Sequence, residues 1–319
     1  MRALVTGASG FVGQWLCREL LQRGWDVTGT RLSEAMPPGA LSQDEHGAMT
    51  WVRCDVTSDG DVATAMERGR PDAIFHLAGV SFVPTASEAP AAALEVNVVA
   101  AARLLAEAAR RRGAGTLDPT ILIVGSGEQY GRHGADEQPL TEQAELRPLN
   151  TYAASKTAQE VVALAAHRHD GVRVVATRSF NHSGPGQDPR FLLPALVRRA
   201  LALRAARAGA APIGNTSPVR DYLHVADVAR AYVLLVERGV PGDVYNVASG
   251  TGTDVATLAS RVLALAGVDA KLQVDASLVR PVEVPMLVGS TARLRATTGW
   301  TPERSLDSII LDLLRATTR

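Results

Sequence analysis

The spacing of a tyrosine and a lysine offers proton-transfer chemistry. Tyr152 and Lys156 are four residues apart, and on a helix this spacing places both side chains on one face. A nearby ammonium favours the phenolate form, so Lys156 is expected to lower the pKa of Tyr152 and make it an acid or base near neutral pH. Ser126 follows the apolar run TILIVG, and its hydroxyl could position the reacting oxygen and share the tyrosine proton. We therefore predict a catalytic set of Ser126, Tyr152 and Lys156.

The tyrosine–lysine spacing alone could arise by chance. A glycine-rich turn near the beginning of the chain supports a catalytic role for the pair. Gly7, Gly10 and Gly13 stand in TGASGFVG, between the first apolar run and the first helical pattern. A tight turn there lets the backbone approach a pyrophosphate, and the beginning of a helix supplies free N–H groups and a positive dipole end. The spacing is G-x-x-G-x-x-G rather than G-x-G-x-x-G, and packing alone could require glycines, but the strand-turn-helix position favours a dinucleotide site. The cofactor residues predicted in this turn are Gly7, Gly10, Phe11 and Val12.

The residues that end the next strands bear on the choice of cofactor. An acid that binds the adenosine ribose diol usually ends the second strand, but the stretch TGTRL has no carboxylate. Arg31 could face a 2′-phosphate instead, which favours NADP(H); an ordinary surface arginine would look the same, so NAD(H) stays open. Asp55 could accept from the adenine amino group. Asn97 lies in a helical pattern, where asparagine is a poor choice, and is expected to order a neighbouring loop by hydrogen bonding. The further cofactor contacts predicted at strand ends are Asp55, Val56, Leu77, Ala78 and Gly79.

Apolar runs alternate with helical patterns through the first half of the chain. This alternation predicts an α/β fold, a Rossmann-type doubly wound parallel sheet covered by helices on both faces. We expect a nucleotide-binding domain at 1–180 and a smaller, less regular substrate lobe at 181–319, with some crossing of the chain between them. A strand at 244–250 is assigned to that lobe. The predicted strands of the sheet are 3–7, 26–30, 50–56, 73–79, 120–125 and 172–180, and the predicted helices are 13–24, 58–69, 90–113, 191–209, 225–239, 254–267 and 305–319.

Composition argues against several classes of function. The 33 basic and 33 acidic residues give a net charge of zero, so there is no general attraction to nucleic acid or to an anionic membrane. No apolar run approaches membrane-spanning length and no signal peptide precedes the first strand, so a cytoplasmic location is expected. The two cysteines, Cys17 and Cys54, form no disulfide framework, and the seven histidines show no metal-binding spacing, so we predict no metal.

These features together resemble the extended short-chain dehydrogenase/reductase family over essentially the whole chain. TGASGFVG, the Asp55 position, HLAG, Asn97, the strand end at Ser126 and YAASK match in the same order. The resemblance implies an N-terminal Rossmann domain and a C-terminal sugar-nucleotide lobe that share a cleft. It also implies a homodimer formed through helices near 90–112 and 150–168, with the catalytic set in the roles given above.

Three further stretches are similar to the GDP-sugar branch of that family, namely GSGEQYG, RSFNHSGPGQ and RPVEVPMLVGS. The resemblance implies a GDP-linked sugar as substrate. Arginines suit its phosphates, and a carboxylate suits a ribose diol or a guanine edge. An ion pair of Arg220 with Asp221, or a surface pair of Arg280 with Glu283, would be the alternative. The candidate substrate residues are Ser81, Ser126, Glu128, Asn181, Arg220, Arg280 and Glu283.

The branch contains both 4,6-dehydratases and reductases of 4-keto-6-deoxy sugars. Glu128 is a fourth candidate catalytic residue: it stands where the dehydratases carry an extra acid or base, but similar reductases also carry glutamate there. The stretch NHSGPGQ is more similar to the reductases than to the arginine-rich run of the dehydratases. We therefore expect NAD(P)H-dependent reduction of the C4 ketone of a GDP-4-keto-6-deoxyhexose. The alternatives are the dehydratase, a C4 epimerase and, outside enzymes, a nucleotide-sensing module, which would typically lack the tyrosine or the lysine.

Overall fold

The computed structural model describes residues 1–33, 39–279 and 284–318. Its longest strands are buried apolar runs, as expected where helices cover both faces of a parallel sheet. The strands are β1 (Arg2–Thr6), β2 (Asp26–Arg31), β3 (Thr50–Arg53), β4 (Ala73–His76), β5 (Thr120–Ser126), β6 (Arg173–Ser179), β7 (Asn181–Ser183), β8 (Ala210–Ile213), β9 (Val219–His224), β10 (Val244–Val247), β11 (Gly252–Asp254), β12 (Lys271–Val274) and β13 (Met286–Leu287).

The helix that carries the tyrosine and the lysine has well-formed ends. The Asn150 side chain accepts from the Ala153 N–H at 2.8 Å, which satisfies an N–H group of the first turn. Gly171 ends the helix with φ of +69°, a conformation that glycine adopts at little cost. The α-helices are α1 (Phe11–Gln22), α2 (Gln43–Gly47), α3 (Asp59–Gly69), α4 (Val83–Glu88), α5 (Pro90–Leu94), α6 (Ala100–Gly113), α7 (Thr151–Asp170), α8 (Leu192–Ala206), α9 (Val225–Arg238), α10 (Val255–Leu265), α11 (Ala292–Thr298) and α12 (Leu306–Thr317).

A seven-stranded parallel sheet has the strand order β10-β6-β5-β4-β1-β2-β3. The order reverses between β1 and β4, and in such sheets the carboxyl ends of the strands at the reversal form a crevice for ligands. All six strands expected in the first half are confirmed within a few residues. The assignment of 244–250 to the smaller lobe is wrong, because β10 pairs with β6 and extends the large sheet.

Helices cover both faces of this sheet. On one face, Leu16 and Leu20 of α1 share a buried core with Val228 of α9. On the other face, Met66 of α3 and Leu104 of α6 belong to a second core that also includes α7. The predicted α/β class, a doubly wound Rossmann-type sheet, is therefore confirmed. The reversal point and its crevice lie between these layers at the carboxyl edge.

The helix predicted at 90–113 is interrupted. A π-helical turn at Glu95–Val99 separates α5 from α6. In a π-helical turn the backbone hydrogen bonds join residues five apart instead of four, and such turns are often found at functional sites. Here it carries Asn97, which is fully buried.

The smaller lobe has its own apolar core. Strand β9 pairs with β7, β11 and β13, and β8 pairs with β12. Helices α8, α10 and α12 pack together over these strands around buried leucines and isoleucines. Across the described ranges, no helix is long and apolar enough to cross a membrane, and no group of three histidine, cysteine or acidic side chains is arranged to hold a metal ion.

Candidate active site

The turn after β1 forms a close-fitting cradle of backbone. Gly7 has φ of +70°, and a Cβ on it would lie 2.9 Å from the backbone N of Ala78. A Cβ on Gly13 would lie 2.2 Å from the carbonyl O of Gly7, so both positions require glycine. Gly10 caps α1 without a side-chain hydrogen bond, so the first N–H groups of the helix face the turn. This geometry fits a dinucleotide pyrophosphate.

An arginine on an aromatic support stands at the carboxyl end of β2. The guanidinium carbon of Arg31 lies 5.6 Å from the centroid of the Trp51 ring. Trp51 stacks on His46 with ring centroids 4.9 Å apart and donates its Nε1 proton to the His46 carbonyl at 3.1 Å. The indole therefore holds a positive charge where the fold places the adenosine ribose of a dinucleotide.

The next two strand ends carry the other predicted cofactor residues. Oδ1 of Asp55 accepts from both the N–H and the hydroxyl of Thr57, at 2.9 and 2.7 Å. These bonds lower the pKa of Asp55, so the carboxylate stays an acceptor at neutral pH. Val56 is buried, whereas Gly79 is exposed at the edge of the crevice. Their contacts to a cofactor, like those of Leu77 and Ala78, remain predictions.

Asn97 orders the loop after β4, as the sequence indicated. Its Oδ1 accepts from the Val80 N–H at 2.8 Å, and its Nδ2 donates to the Val80 carbonyl at 3.1 Å and to the Ser155 hydroxyl at 2.8 Å. A Cβ on Gly79 would lie 2.8 Å from the Asn97 Oδ1 and 3.6 Å from the Lys156 Nζ. The loop after β4 and the helix α7 are therefore tied together beside the lysine.

The three residues of the predicted catalytic set come together at the end of β5. The side chain of Tyr152 is hydrogen-bonded to that of Ser126. The Ser126 hydroxyl also accepts from the Glu128 N–H at 3.2 Å. The Lys156 ammonium donates to the Val124 carbonyl and to the Gln159 Oε1, both at 2.9 Å. Both Ser126 and Lys156 are buried.

The electrostatics of this set differ from the expectation. Burial raises the pKa of Tyr152 to about 12, the Ser126 hydrogen bond lowers it, and the charge of Glu128 raises it. Burial also lowers the pKa of Lys156 to about 8. The expectation that Lys156 lowers the pKa of Tyr152 is wrong for this state, because desolvation of the phenol dominates and the contribution that lowers the pKa comes from Ser126 rather than from Lys156. Tyr152 is therefore protonated at neutral pH, and burial alone makes its phenol a weaker acid than an ordinary tyrosine.

His76 is a core residue. It is fully buried at the end of β4, and its Nδ1 is 2.9 Å from the Thr6 hydroxyl. Burial, and then the charge of Lys156, lower its pKa to about 3. The ring is therefore neutral and adds no charge to the site.

Two of the predicted substrate residues, Asn181 and Arg220, lie on β7 and β9. Asn181 is hydrogen-bonded to the Tyr222 hydroxyl, and Arg220 is partly buried on β9 and donates to the Val219 carbonyl at 2.9 Å. The carboxylate of Asp221 accepts from the N–H groups of Ser249 and Gly250 at 2.7 and 2.9 Å. Backbone amides rather than Arg220 thus hold Asp221, which disfavours the ion-pair alternative.

The remaining candidates are spread around the crevice. Glu128 is partly buried two residues after Ser126, and Ser81 is exposed in the loop after β4. Arg280 and Glu283 lie outside the described residues, so their predicted contact with the nucleotide keeps its standing as a prediction.

Two contacts join the cofactor turn to the substrate lobe. The ring of Phe11 stacks on His182 with centroids 6.3 Å apart and an interplanar angle of 13°. Trp15 of α1 donates its Nε1 proton to the Pro185 carbonyl at 3.0 Å. The first turns of α1 are thus in direct contact with the loop that follows Asn181.

Sequence reasoning missed the residues that support the catalytic set. Gln159 accepts from Lys156, and Gln129 accepts from the Ser126 N–H at 2.7 Å. Glu160 lies one helical turn after Lys156, so extending the tyrosine–lysine face of α7 by four residues would have found it. Gln129 could not be found from helical spacing, because its Nε2 donates to the carboxylate of Glu160, which is 31 residues away along the chain.

Comparison with known proteins agrees with this geometry. The family model for GDP-mannose 4,6 dehydratase matches residues 4–313. The GDP-6-deoxy-D-mannose reductase of Pseudomonas aeruginosa is 34% identical over 316 residues, which cover 98% of this chain and 96% of that protein. The structure of RMD from Pseudomonas aeruginosa complexed with NADPH covers 100% of both chains with a TM-score of 0.83 and 31% identity. The UDP-glucose 4-epimerase of Thermus thermophilus, in complex with NAD, covers 100% of this chain and 99% of its own, with a TM-score of 0.84 and 27% identity.

Fold and site define an NAD(P)-dependent enzyme of the extended short-chain dehydrogenase/reductase type. Its relatives include a reductase and an epimerase of nucleotide sugars. The chain belongs to the GDP-mannose 4,6-dehydratase family, since that model matches nearly its whole length. The resemblance stated from the sequence is thereby confirmed.

Proposed function

We propose that the protein reduces the C4 ketone of a GDP-4-keto-6-deoxyhexose to the alcohol, with NADPH as the preferred reductant. The observation that carries the proposal is that Tyr152 is hydrogen-bonded to Ser126 at the carboxyl end of β5, on the sheet edge where the glycine cradle follows β1. A reduction needs a proton donor at the developing alkoxide, and the neutral phenol of Tyr152 carries such a proton. The 34% identity to a GDP-6-deoxy-D-mannose reductase supports the sugar and its base.

In the proposed mechanism, the bound nicotinamide supplies a hydride to the ketone carbon. Tyr152 gives its hydroxyl proton to the ketone oxygen as the C–O double bond becomes a single bond, and the phenolate then regains a proton from solvent. Ser126 donates a hydrogen bond to the same oxygen, so two donors meet the charge where it develops. Lys156 would hold the ribose of a bound nicotinamide cofactor, and its ammonium would favour the phenolate that forms on proton transfer.

The preference for NADP(H) rests on the end of β2. Arg31 on its Trp51 support offers a cation for a 2′-phosphate, and the stretch lacks the acid that would bind a ribose diol. The similar structure complexed with NADPH supports this choice, whereas a further relative is complexed with NAD. NADH is therefore expected to bind, but less tightly.

The nucleotide is proposed to lie in the smaller lobe. Asn181 on β7 and Arg220 on β9 are the contacts proposed there, since a guanidinium suits bidentate contact with a diphosphate. Arg280, Glu283 and Ser81 complete the proposed substrate site on the basis of the family resemblance.

A second copy of the chain and a cytoplasmic location are also proposed. Helices α6 and α7 pack against each other, and apolar side chains are exposed along them and their approaches: Leu94 by 42%, Val99 by 37% and Val161 by 58%. Exposed apolar side chains on neighbouring helices favour burial against a partner. A homodimer through these helices would cover them.

The 4,6-dehydratase is the second candidate, because Glu128 is close enough to Tyr152 to raise its pKa. A dehydratase oxidises and then re-reduces its substrate, so it needs no added NADPH. We expect the purified protein to oxidise NADPH with a GDP-4-keto-6-deoxyhexose and to leave GDP-mannose unchanged, with Tyr152→Phe as the inactive control. Conversion of GDP-mannose without added NADPH would establish the dehydratase instead, and nucleotide binding without turnover would indicate a sensing module.

A further inference from the structure

A buried chain of hydrogen bonds runs from the catalytic serine to the sheet behind α7. The Oε1 atom of Gln129 accepts from the Ser126 N–H at 2.7 Å, and its Nε2 donates to Glu160 at 2.9 Å. Arg178 of β6 holds Glu160 in turn, because its Nη2 and Nε donate to the two carboxylate oxygens at 2.7 and 2.9 Å. All four side chains belong to residues that are buried.

The chemistry of Glu160 decides the orientation of the Gln129 amide. An ionised carboxylate can only accept hydrogen bonds, so the NH2 group of Gln129 must face Glu160 and its oxygen must face Ser126. The surrounding space is closed as well. A Cβ on Gly125 would lie 2.4 Å from the Gln129 Oε1. The amide is therefore held in one orientation by its hydrogen-bond partners at both ends, in a closely packed space.

The Glu160–Arg178 ion pair also fixes the position of α7, the helix that carries Tyr152 and Lys156. Glu160 lies on the same face of α7 as Lys156 and Tyr152, one turn after the lysine and two turns after the tyrosine. Its ion pair with Arg178 ties that face to β6, with 7% and 6% of the two side chains exposed. Since Tyr152 is hydrogen-bonded to Ser126, Gln129 closes a ring that joins the end of β5 to α7.

We propose that Gln129 is a positioning residue that holds Ser126 in register with Tyr152 by coupling the serine backbone to the Glu160–Arg178 pair. The inference rests on the proposed function, because it concerns the geometry of that reduction. Misplacing a reacting group by about 1 Å can lower turnover by about 100-fold. The effect of losing this contact is therefore expected in kcat rather than in binding.

Gln129→Met tests the proposal, because methionine keeps the length of the side chain and removes both hydrogen bonds. We expect kcat to fall about 10- to 100-fold, with KM for NADPH changed by less than about twofold. Tyr130→Phe is the matched control. It removes buried hydrogen bonds to Asn246 and Arg178 in the same network without touching Ser126, and it should keep the kcat of the parent. An unchanged kcat in Gln129→Met, or an equal loss in Tyr130→Phe, overturns the proposal.

Gln129→Glu adds a readout that loss of packing alone would not move. A protonated carboxyl group can donate to Glu160 and accept from the Ser126 N–H, whereas an ionised one repels Glu160. The kcat of this variant, divided by that of the parent, should rise as the pH falls, while the ratio for Gln129→Met stays level. A level ratio for Gln129→Glu contradicts the positioning role.

Ser126→Ala separates this proposal from the proposed function. Loss of turnover in both Ser126→Ala and Gln129→Met supports the two together. Full turnover in Ser126→Ala overturns the proposed reduction mechanism itself. Loss in Ser126→Ala with full turnover in Gln129→Met overturns the role of Gln129 alone.

Discussion

Replacing Lys156 with methionine should change how the stability of the protein depends on pH. Lys156 is 5% exposed, and burial lowers its pKa from 10.5 to about 8. One pKa unit corresponds to about 1.4 kcal/mol, so a fall of about 2.5 units amounts to about 3 kcal/mol. This is the free energy by which folding disfavours the charged ammonium.

The sign follows from where the proton is bound. Between pH 8 and pH 10.5 the unfolded chain keeps a proton that the folded protein has released. Because the unfolded state binds more protons there, the free energy of unfolding rises with pH. Lys156→Met lacks this titrating group, so its unfolding free energy does not rise in the same way. Between pH 8 and pH 10.5 the parent should therefore gain about 3 kcal/mol of unfolding free energy relative to the variant. Below this window the missing charge favours the variant, while the lost hydrogen bonds to Val124 and Gln159 cost about 1–3 kcal/mol.

Urea unfolding of both proteins at intervals from neutral pH to pH 10.5 measures the difference directly, since other titrating groups cancel. Lys271→Met is the matched control, because Lys271 is exposed on β12. Its difference from the parent should stay level with pH. A level difference for Lys156→Met as well would refute the reasoning that burial of this ammonium lowers its pKa.

The catalytic set, the buried ion pair and the cofactor edge give three more tests. Tyr152→Phe should lower turnover by about 10²–10⁴-fold while calorimetry still detects GDP binding; a fully active variant would rule out the proton-transfer role. Glu160→Gln leaves the buried guanidinium of Arg178 without its charge partner and should cost about 3–5 kcal/mol in urea unfolding. A loss within experimental error would mean that the ion pair is solvated. Arg31→Ala should weaken NADPH binding about tenfold and leave NADH unchanged, as measured by fluorescence titration; equal weakening of both cofactors would contradict a 2′-phosphate contact.

Local pattern was enough to predict most of the large sheet. The apolar runs that became β1, β4 and β5 are bounded by turn residues, and buried parallel strands read as continuous apolar stretches. The strand β10 was wrongly assigned to the smaller lobe, because a four-residue pattern indicates an extended strand but not the sheet that it joins. Its pairing with β6 joins segments that are far apart along the chain, and sequence pattern does not report such contacts.

The candidate site shows the same division between spacing and surroundings. The four-residue spacing of Tyr152 and Lys156 predicted that both lie on α7. Their pKa directions depend on how much water each group loses, which spacing cannot give, and the expected lowering for Tyr152 became a rise to about 12. The interruption at Glu95–Val99 was also missed, because the turn lies inside a helical pattern and no helix start or stop signal marks it in the sequence.

The stacked rings of Phe11 and His182 have a consequence for how the two ligands affect each other's affinity. Phe11 begins α1 after the glycine cradle and His182 lies on β7, so a ligand that orders either side reduces the freedom of both. Thermodynamic linkage then requires reciprocity: if bound NADPH raises the affinity for the nucleotide sugar, the sugar raises the affinity for NADPH by the same factor.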